Sequence, residues 1–345
     1  MTARLEKNAD GILPRMLGIY DAVVAGGGVA GVAAARTIAA EGWRVAIIEP
    51  TGTLGREIVR ARNLFVRLSR YAGMSPTIAE FYECLRQRKG WFDGVVDPNV
   101  AALAFDDLMS RYRVQVLFHV WPSNLLKEGQ VVTGIEAATK GGYVRMKTPR
   151  VLDASVSGKL GKFWFESRPN DKKGSVLHLI YNGVTGECPS ERLFLMPEIG
   201  DMKVICRPTH WKSEWRISLI LEINATRAEW FGLLVDLLPR LQDEITELKN
   251  GVLAYVADDV WNVPDLRIST NSKDDHIVGY LEDTAGKPFA LRQRMLGDPA
   301  IIDGLTLAGT WLDGLPFDLC QEETSIVNAF RLGDFVGASL TRQKT

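Results

Sequence analysis

The densest chemical signal in the chain is Gly26-Gly27-Gly28-Val29-Ala30-Gly31, a G-x-G-x-x-G pattern. Each glycine in such a pattern has a separate task. Gly26 permits a tight turn after a strand. Gly28 removes the Cβ that would hold backbone away from a diphosphate, and Gly31 lets a helix pack closely on the strand. Val29 and Ala30 open that helix, where free N–H groups and the dipole favour negative charge. Glu49, with Pro50 after it, lies about 20 residues on, where an acid holds ribose hydroxyls. A glycine-rich turn without a ligand is the competing reading of the glycines, and an ordinary strand-end carboxylate that of Glu49. Context favours a dinucleotide: a strand precedes the glycines, a helix follows, and the acid is in place. These residues do not separate NAD from FAD.

Other chemistry-bearing residues are scattered. His119, His178, His210 and His276 are the candidate proton acceptors. His210, beside Trp211 and Trp215, has the aromatic setting of an enclosed pocket and is the candidate catalytic base. A structural or surface histidine is the alternative. His178 alternates with apolar residues and reads as sheet packing. Cys84, Cys188, Cys206 and Cys320 stand far apart, with neither zinc spacing nor a close redox pair, so no metal is expected. Trp164, Trp211, Trp215, Trp230 and Trp261 fit either a sheet core or an aromatic pocket.

Regular elements must position these groups. Tyr20–Ala25 is an apolar run of the kind buried on both faces of a parallel sheet. Val29–Glu41 is an alanine-rich helix stopped by Gly42, and Trp43–Ile48 a second strand, which together make a βαβ unit. Residues 1–18 read as an extension before the fold, and 51–113 as mostly helical. Val114–Val120 is a short strand, Asn124–Thr148 a β-meander, and Val151–Ser155 another buried strand. Beyond 159, Phe163–Phe165, Val176–Tyr181, Met202–Cys206 and Trp215–Ile223 read as strands. Thr226–Leu248 reads as one amphipathic helix. Leu305–Gly309 returns to parallel-strand texture. Ser325–Leu340 is a closing helix in which Gly333 and Gly337 allow close packing.

With 345 residues, 46% of them hydrophobic, the chain can bury one large core or two coupled ones. A net charge of -1 leaves no basic surplus for nucleic acid. No window approaches the roughly 18 apolar residues of a membrane span. The N-terminus lacks a signal-peptide core, and the cysteine usage fits a reducing compartment, so a cytoplasmic protein is expected.

The chain resembles the two-domain FAD oxidoreductases of the glutathione-reductase structural class, most closely a family called simply FAD-dependent oxidoreductases. Five pieces carry the likeness. Asp21–Glu49 is the first. Gly52-Thr53-Leu54-Gly55-Arg56 is similar to the loop along the cofactor diphosphate, with Arg56 where the family tends to have a second glycine. Pro122 stands where a valine commonly follows the adenine-side strand. Asp153-Ala154-Ser155 is similar to the D-A-T-G segment, with Ser155 for threonine and the glycine displaced to Gly158. Leu307–Asp313 resembles the late strand and its loop. There the family often has an aspartate directly after the glycine, whereas Asp313 lies four positions beyond Gly309. The resemblance implies FAD held by Gly26, Gly28, Val29, Ala30, Gly31, Glu49, Pro50, Gly55, Arg56, Pro122, Ala154, Ser155 and Gly309, with Asp313 and Thr324 on the flavin side. For Asp313 a turn residue, and for Thr324 plain helix capping, are the alternatives.

The fold class so implied is α/β. A Rossmann-like FAD-binding domain with parallel sheet and β-meander (19–158 and 291–345, part of 60–112 lying on the other side) carries an α+β substrate domain with an antiparallel sheet (159–290). Three functions fit: hydride transfer between a small organic substrate and flavin N5; a flavin monooxygenase fed by a separate reductase; and an FAD-bearing or vestigial subunit of a larger assembly. A small-molecule substrate is the expected partner, with a homo-oligomer or partner subunit open and neither nucleic acid nor membrane expected.

Overall fold

The computed structural model describes residues 14–186, 188, 192–196, 200–316 and 318–342, without side chains for 189–201. A five-stranded, all-parallel sheet forms its centre. It is built from β2 (Ala22–Ala25), β3 (Val45–Glu49), β6 (Gln115–Phe118), β10 (Val151–Asp153) and β21 (Leu305–Leu307), in the order β21-β10-β2-β3-β6. Every residue of β2 and β3 is buried, as the unbroken apolar runs require. Helix α1 (Val29–Ala40) follows β2 across the glycine turn. Helix α6 (Glu322–Arg342) lies against α1 at very short range. A Cβ on Gly333 would overlap Ala30 O, and one on Gly337 would sit 2.9 Å from Ala34 O.

Helices α3 (Pro76–Gln87) and α4 (Pro98–Arg111) pack against α1 and α6, with α2 (Arg56–Val59) on α4 and a hairpin of β4 (Trp91–Phe92) and β5 (Val95–Val96) beside α3. The meander is β7 (Trp121–Glu128), β8 (Val131–Thr139) and β9 (Gly142–Lys147). A fourth strand joins it. Arg15–Ile19, expected to be part of an extension, forms β1 and pairs in parallel with β9. Residues 1–13 of that expected extension lie outside the described residues.

The second half holds β11 (Glu166–Pro169), β12 (Ser175–Asn182), β13 (Arg192–Met196), β14 (Gly200–Pro208) and β15 (Glu214–Leu221). It continues with α5 (Arg227–Glu244), β16 (Val252–Val256), β17 (Trp261–Asn262), β18 (Leu266–Ser269), and the hairpin β19 (Ile277–Glu282) and β20 (Pro288–Arg292). The large antiparallel sheet runs β13-β14-β15-β12-β16. One face packs under α5, where Leu177, Leu179, Ile217 and Leu219 meet Trp230, Leu237 and Leu241 as a core separate from that of the parallel sheet. A capping box of Thr226 and Glu229 starts α5. It ends at Glu244 rather than continuing to Leu248, because Ile245 turns extended (φ -105°, ψ 91°).

Phe163–Phe165 is not a strand. The buried Asp153 carboxylate accepts from the N–H groups of Leu160 and Gly161, each at 2.8 Å, and winds Gly161–Phe163 into a 3-10 turn. Among the described residues no helix is long and apolar enough to cross a membrane.

Candidate cofactor and active site

A cleft of about 560 Å³ lies where the C-terminal ends of β2, β3 and β10 face the 259–266 segment of the second half. That volume falls within the ~300–1,000 Å³ of small-molecule and cofactor sites. Gly26, Gly28, Ala30, Glu49, Pro50 and Arg56 line it, as do Pro122, Ala154, Ser155 and Gly309. Ten of the fifteen expected cofactor residues therefore converge on one space. The other five have other neighbours. Gly31 packs where a Cβ would overlap Gly26 O, and Gly55, at φ 65°, sits on the Phe105 ring. Val29 presents its N–H. Thr324 lines a second cavity. Asp313 accepts from Arg168 Nη2 at 2.8 Å and Ser269 Oγ at 3.0 Å, outside both cavities.

The glycine turn passes a physical test for a diphosphate cradle. A Cβ at Gly26, already at φ 113°, would overlap Ala154 O, and at Gly31 it would overlap Gly26 O, so both are fixed by backbone. At Gly28 the nearest atoms are those of one side chain, the Glu57 carboxylate, with Oε1 2.8 Å away. That position therefore faces the cleft. Glu49, 5% exposed, is held by its own backbone surroundings: Oε2 accepts from Gly27 N at 2.7 Å and Oε1 from Thr51 N at 2.8 Å. Its carboxylate is oriented in advance at the cleft end nearest Pro50 and Pro122. The ADP portion of a dinucleotide fits these residues.

Sequence reading had no signal for Glu57. The α2 turn folds back so that Glu57 Oε2 accepts from Val29 N at 2.8 Å, at the N-terminus of α1. Burial raises its carboxyl above the usual range and nearby Glu49 adds to this, while the Val29 N–H and Arg56 oppose it. Arg56 lines the cleft with its guanidinium already paired. Its Nε donates to Asp259 Oδ2 at 3.0 Å and its Nη2 to Val260 O at 3.0 Å. Arg60 Nε reaches the same Asp259 oxygen at 2.7 Å. Against the effect of burial, the two guanidiniums hold the Asp259 carboxyl below its usual range. Arg56, expected among the cofactor residues, also ties the two halves together.

Ser155 also has a local duty. Its hydroxyl donates to Asp153 Oδ1 at 2.6 Å, and its carbonyl accepts from Trp311 Nε1 at 2.7 Å. The buried Trp311 indole covers Gly309 closely enough that a Cβ there would overlap it. Among the tryptophans singled out in the sequence, Trp215 and Trp230 belong to the α5 core and Trp261 lines the cleft.

The second cavity, about 410 Å³, lies at the start of α6 between the halves, lined by Phe65, Arg67, Asp93, Arg207, Cys320 and Thr324 among others. Behind it the face of the antiparallel sheet opposite α5 presents His178, Arg216 and Ser218. Arg216, 1% exposed, makes a two-pronged ion pair with Glu322 (Nη1–Oε1 2.8 Å, Nη2–Oε2 2.7 Å), donates to Arg62 O and lies over Phe65. Phe65 N also donates to Glu322 Oε1 at 2.6 Å. His178 Nε2 meets Asn63 Oδ1 at 3.1 Å, and burial with the charges of Arg216 and Arg207 keeps it well below its usual pKa.

His210, the expected base, lines neither cavity. It stacks on Phe92 (centroids 3.9 Å apart, 4° between planes), and its Nε2 is 3.9 Å from Asp97 Oδ2, the residue that caps α4. Burial lowers its pKa, and neither ring nitrogen has a hydrogen-bond partner among the described residues.

Residues 21–163 match the family of FAD dependent oxidoreductases. No curated protein matches the chain by sequence. Among solved structures it is similar to a geranylgeranyl bacteriochlorophyll reductase-like protein from Thermoplasma acidophilum, with a TM-score of 0.61 and 17% identity over 95% of this chain and 80% of that one. The myxobacterial chondrochloren halogenase, a variant of FAD-dependent halogenases, gives 0.58 and 14% over 95% and 76%. The anhydrotetracycline hydroxylase of Streptomyces rimosus gives 0.58 and 12% over 94% and 63%. At these identities the likeness is one of fold. The matched family makes FAD the cofactor and the chain a flavin-dependent oxidoreductase.

Proposed function

We propose that the chain is an oxidoreductase of the two-domain glutathione-reductase structural class, with FAD in a Rossmann-like domain and a small organic substrate brought in by the 159–290 domain. FAD supplies a two-electron acceptor or donor, exchanging a hydride with the substrate at N5. The observation that carries the reading is the convergence of Gly26, Gly28, Glu49, Pro122, Ala154 and Gly309 on one cleft. Glu49 binds ribose hydroxyls, and the α1 N-terminus receives the diphosphate. The 259–266 segment closes the cleft from the substrate side. The second cavity is the substrate's place in this reading, because α6 from one half and Arg207 from the other both line it. With four widely spaced cysteines, the protein works in the cytoplasm.

A second reading is a monooxygenase supplied by a separate reductase. A single G-x-G-x-x-G in the sequence favours it, leaving no evident site for a nicotinamide donor. The names of two similar folds, a halogenase and a hydroxylase, also favour it. The deciding experiment is an absorbance spectrum of the purified protein, with any released chromophore identified by chromatography, followed by anaerobic addition of candidate substrates. Flavin bands that bleach with substrate support hydride transfer. Hydroxylated product formed only with an added reductase and oxygen supports the second reading. A colourless protein that takes up no added FAD overturns both and leaves the vestigial-subunit alternative.

A further inference from the structure

We infer that Glu57 sits in the diphosphate seat of the cofactor cleft and competes with the cofactor for it, so that this side chain sets how tightly the chain holds FAD. The inference rests on the FAD reading above and adds a residue to it. Glu57 Oε2 takes the Val29 N–H, and Oε1 lies 2.8 Å from where a Cβ on Gly28 would be. The carboxylate thus fills the space that the middle glycine leaves open. A phosphate oxygen would use the same N–H, the same helix dipole and the same gap, and two anions cannot share them.

The rest of the surroundings make Glu57 displaceable. Its backbone is fixed, because its carbonyl accepts from Asn63 N at 3.1 Å and Asn63 Nδ2 at 3.0 Å. Among the described residues its carboxylate is held by backbone N–H groups, those of Val29 and of Glu57 itself. The adjacent guanidinium, Arg56, is spent on Asp259 and Val260 rather than on Glu57. The other nearby carboxylate, Glu49, is satisfied by Gly27 and Thr51 and repels it. Rotating the side chain out of the seat therefore gives up backbone contacts and, among the described residues, no salt bridge, and leaves α2 in place. Every ligand that carries a diphosphate has to bring about that rotation, and a ligand without one does not.

The test uses the full chain, freed of any bound flavin, with FAD, ADP and adenosine as probes in calorimetric titrations. Wild type is compared with Glu57→Gln and Glu57→Ala, and far-ultraviolet dichroism and thermal melting confirm folding. FAD and ADP are expected to bind at least tenfold more tightly to both variants, with adenosine changed less than twofold. FAD and ADP affinities that stay equal or fall in both variants overturn the inference. Adenosine tightening by the same factor as ADP overturns it too, since the effect is then one of volume rather than charge. If neither wild type nor variants bind FAD or ADP, the cofactor reading fails and takes this inference with it, a pattern distinct from equal binding by all three.

Discussion

The two sheets address the space between them in opposite ways. At the ends of the parallel strands the chain withdraws its side chains: Gly26 and Gly28 line the cleft as bare backbone, and Glu49 is turned onto its own loop. Behind the second cavity the antiparallel sheet supplies charged and polar side chains instead. Arg216 is paired with Glu322, and His178 with Asn63. The cofactor side is specified by what does not fit, and the opposite side by charges that must be matched. Backbone sterics define a ligand's seat, while buried pairing fixes how the halves are joined.

The sharpest way to break this contrast is Arg216→Ala. It leaves the Glu322 carboxylate with Phe65 N and the longer Arg207 contact, at 4.0 Å, and should cost about 3 kcal/mol, read by urea unfolding. Replacing both partners, Arg216→Met with Glu322→Leu, should recover most of that loss. If it does not, the pair contributes more than mutual neutralisation. Next comes Gly31→Ala, which drives a methyl group into Gly26 O and should cost about 1–3 kcal/mol and abolish FAD binding. Gly28→Ala meets only the movable Glu57 side chain and should cost clearly less in a thermal melt.

Acid should reveal the opposite sheet before the cofactor turn. His178 has a folded-state pKa well below the ~6.5 of an unfolded histidine, so its contribution is intact above about pH 6.5 and falls as pH drops below it. Each pH unit in that range removes up to ~1.4 kcal/mol, because the unfolded chain takes a proton that the folded chain refuses. Unfolding free energies between pH 7 and 5 should show this slope, and His178→Asn should flatten it. The smallest effect is expected at Asp313→Ala. Its exposed pairing with Arg168 is worth less than ~1 kcal/mol, and FAD affinity should not change. A tenfold weaker FAD would return Asp313 to the cofactor site.

Local pattern made much of this legible. The glycine turn, the apolar β2 and β3 and the Gly333 contact with α1 are each written in a short stretch whose composition has a single structural use. Reading failed where a distant group decides the conformation. Phe163–Phe165 has strand residues, but Asp153 claims the preceding N–H groups and coils the chain. Arg15–Ile19 looked like a tail because its partner strand lies more than a hundred residues later. Local sequence also says nothing of the pairing of Arg56 with Asp259 and of Asp313 with Arg168, since each partner comes from the other half of the chain. Nothing near Glu57 signals that its carboxylate will cap a helix begun 28 residues earlier.

Helix α6 has one more role. Its first residue, Glu322, is gripped by the antiparallel sheet through Arg216, and eleven residues later Gly333 rests on the carbonyl of Ala30 beside the glycine turn. At about 1.5 Å per residue that is a rod of roughly 16 Å, with no proline along its length to soften it. Asp334, taking hydroxyl bonds from Thr37 and Thr77, pins its middle. One continuous helix therefore joins the antiparallel sheet to the glycine turn, held at its first residue by Arg216 and further along by the close approach of Gly333 to Ala30.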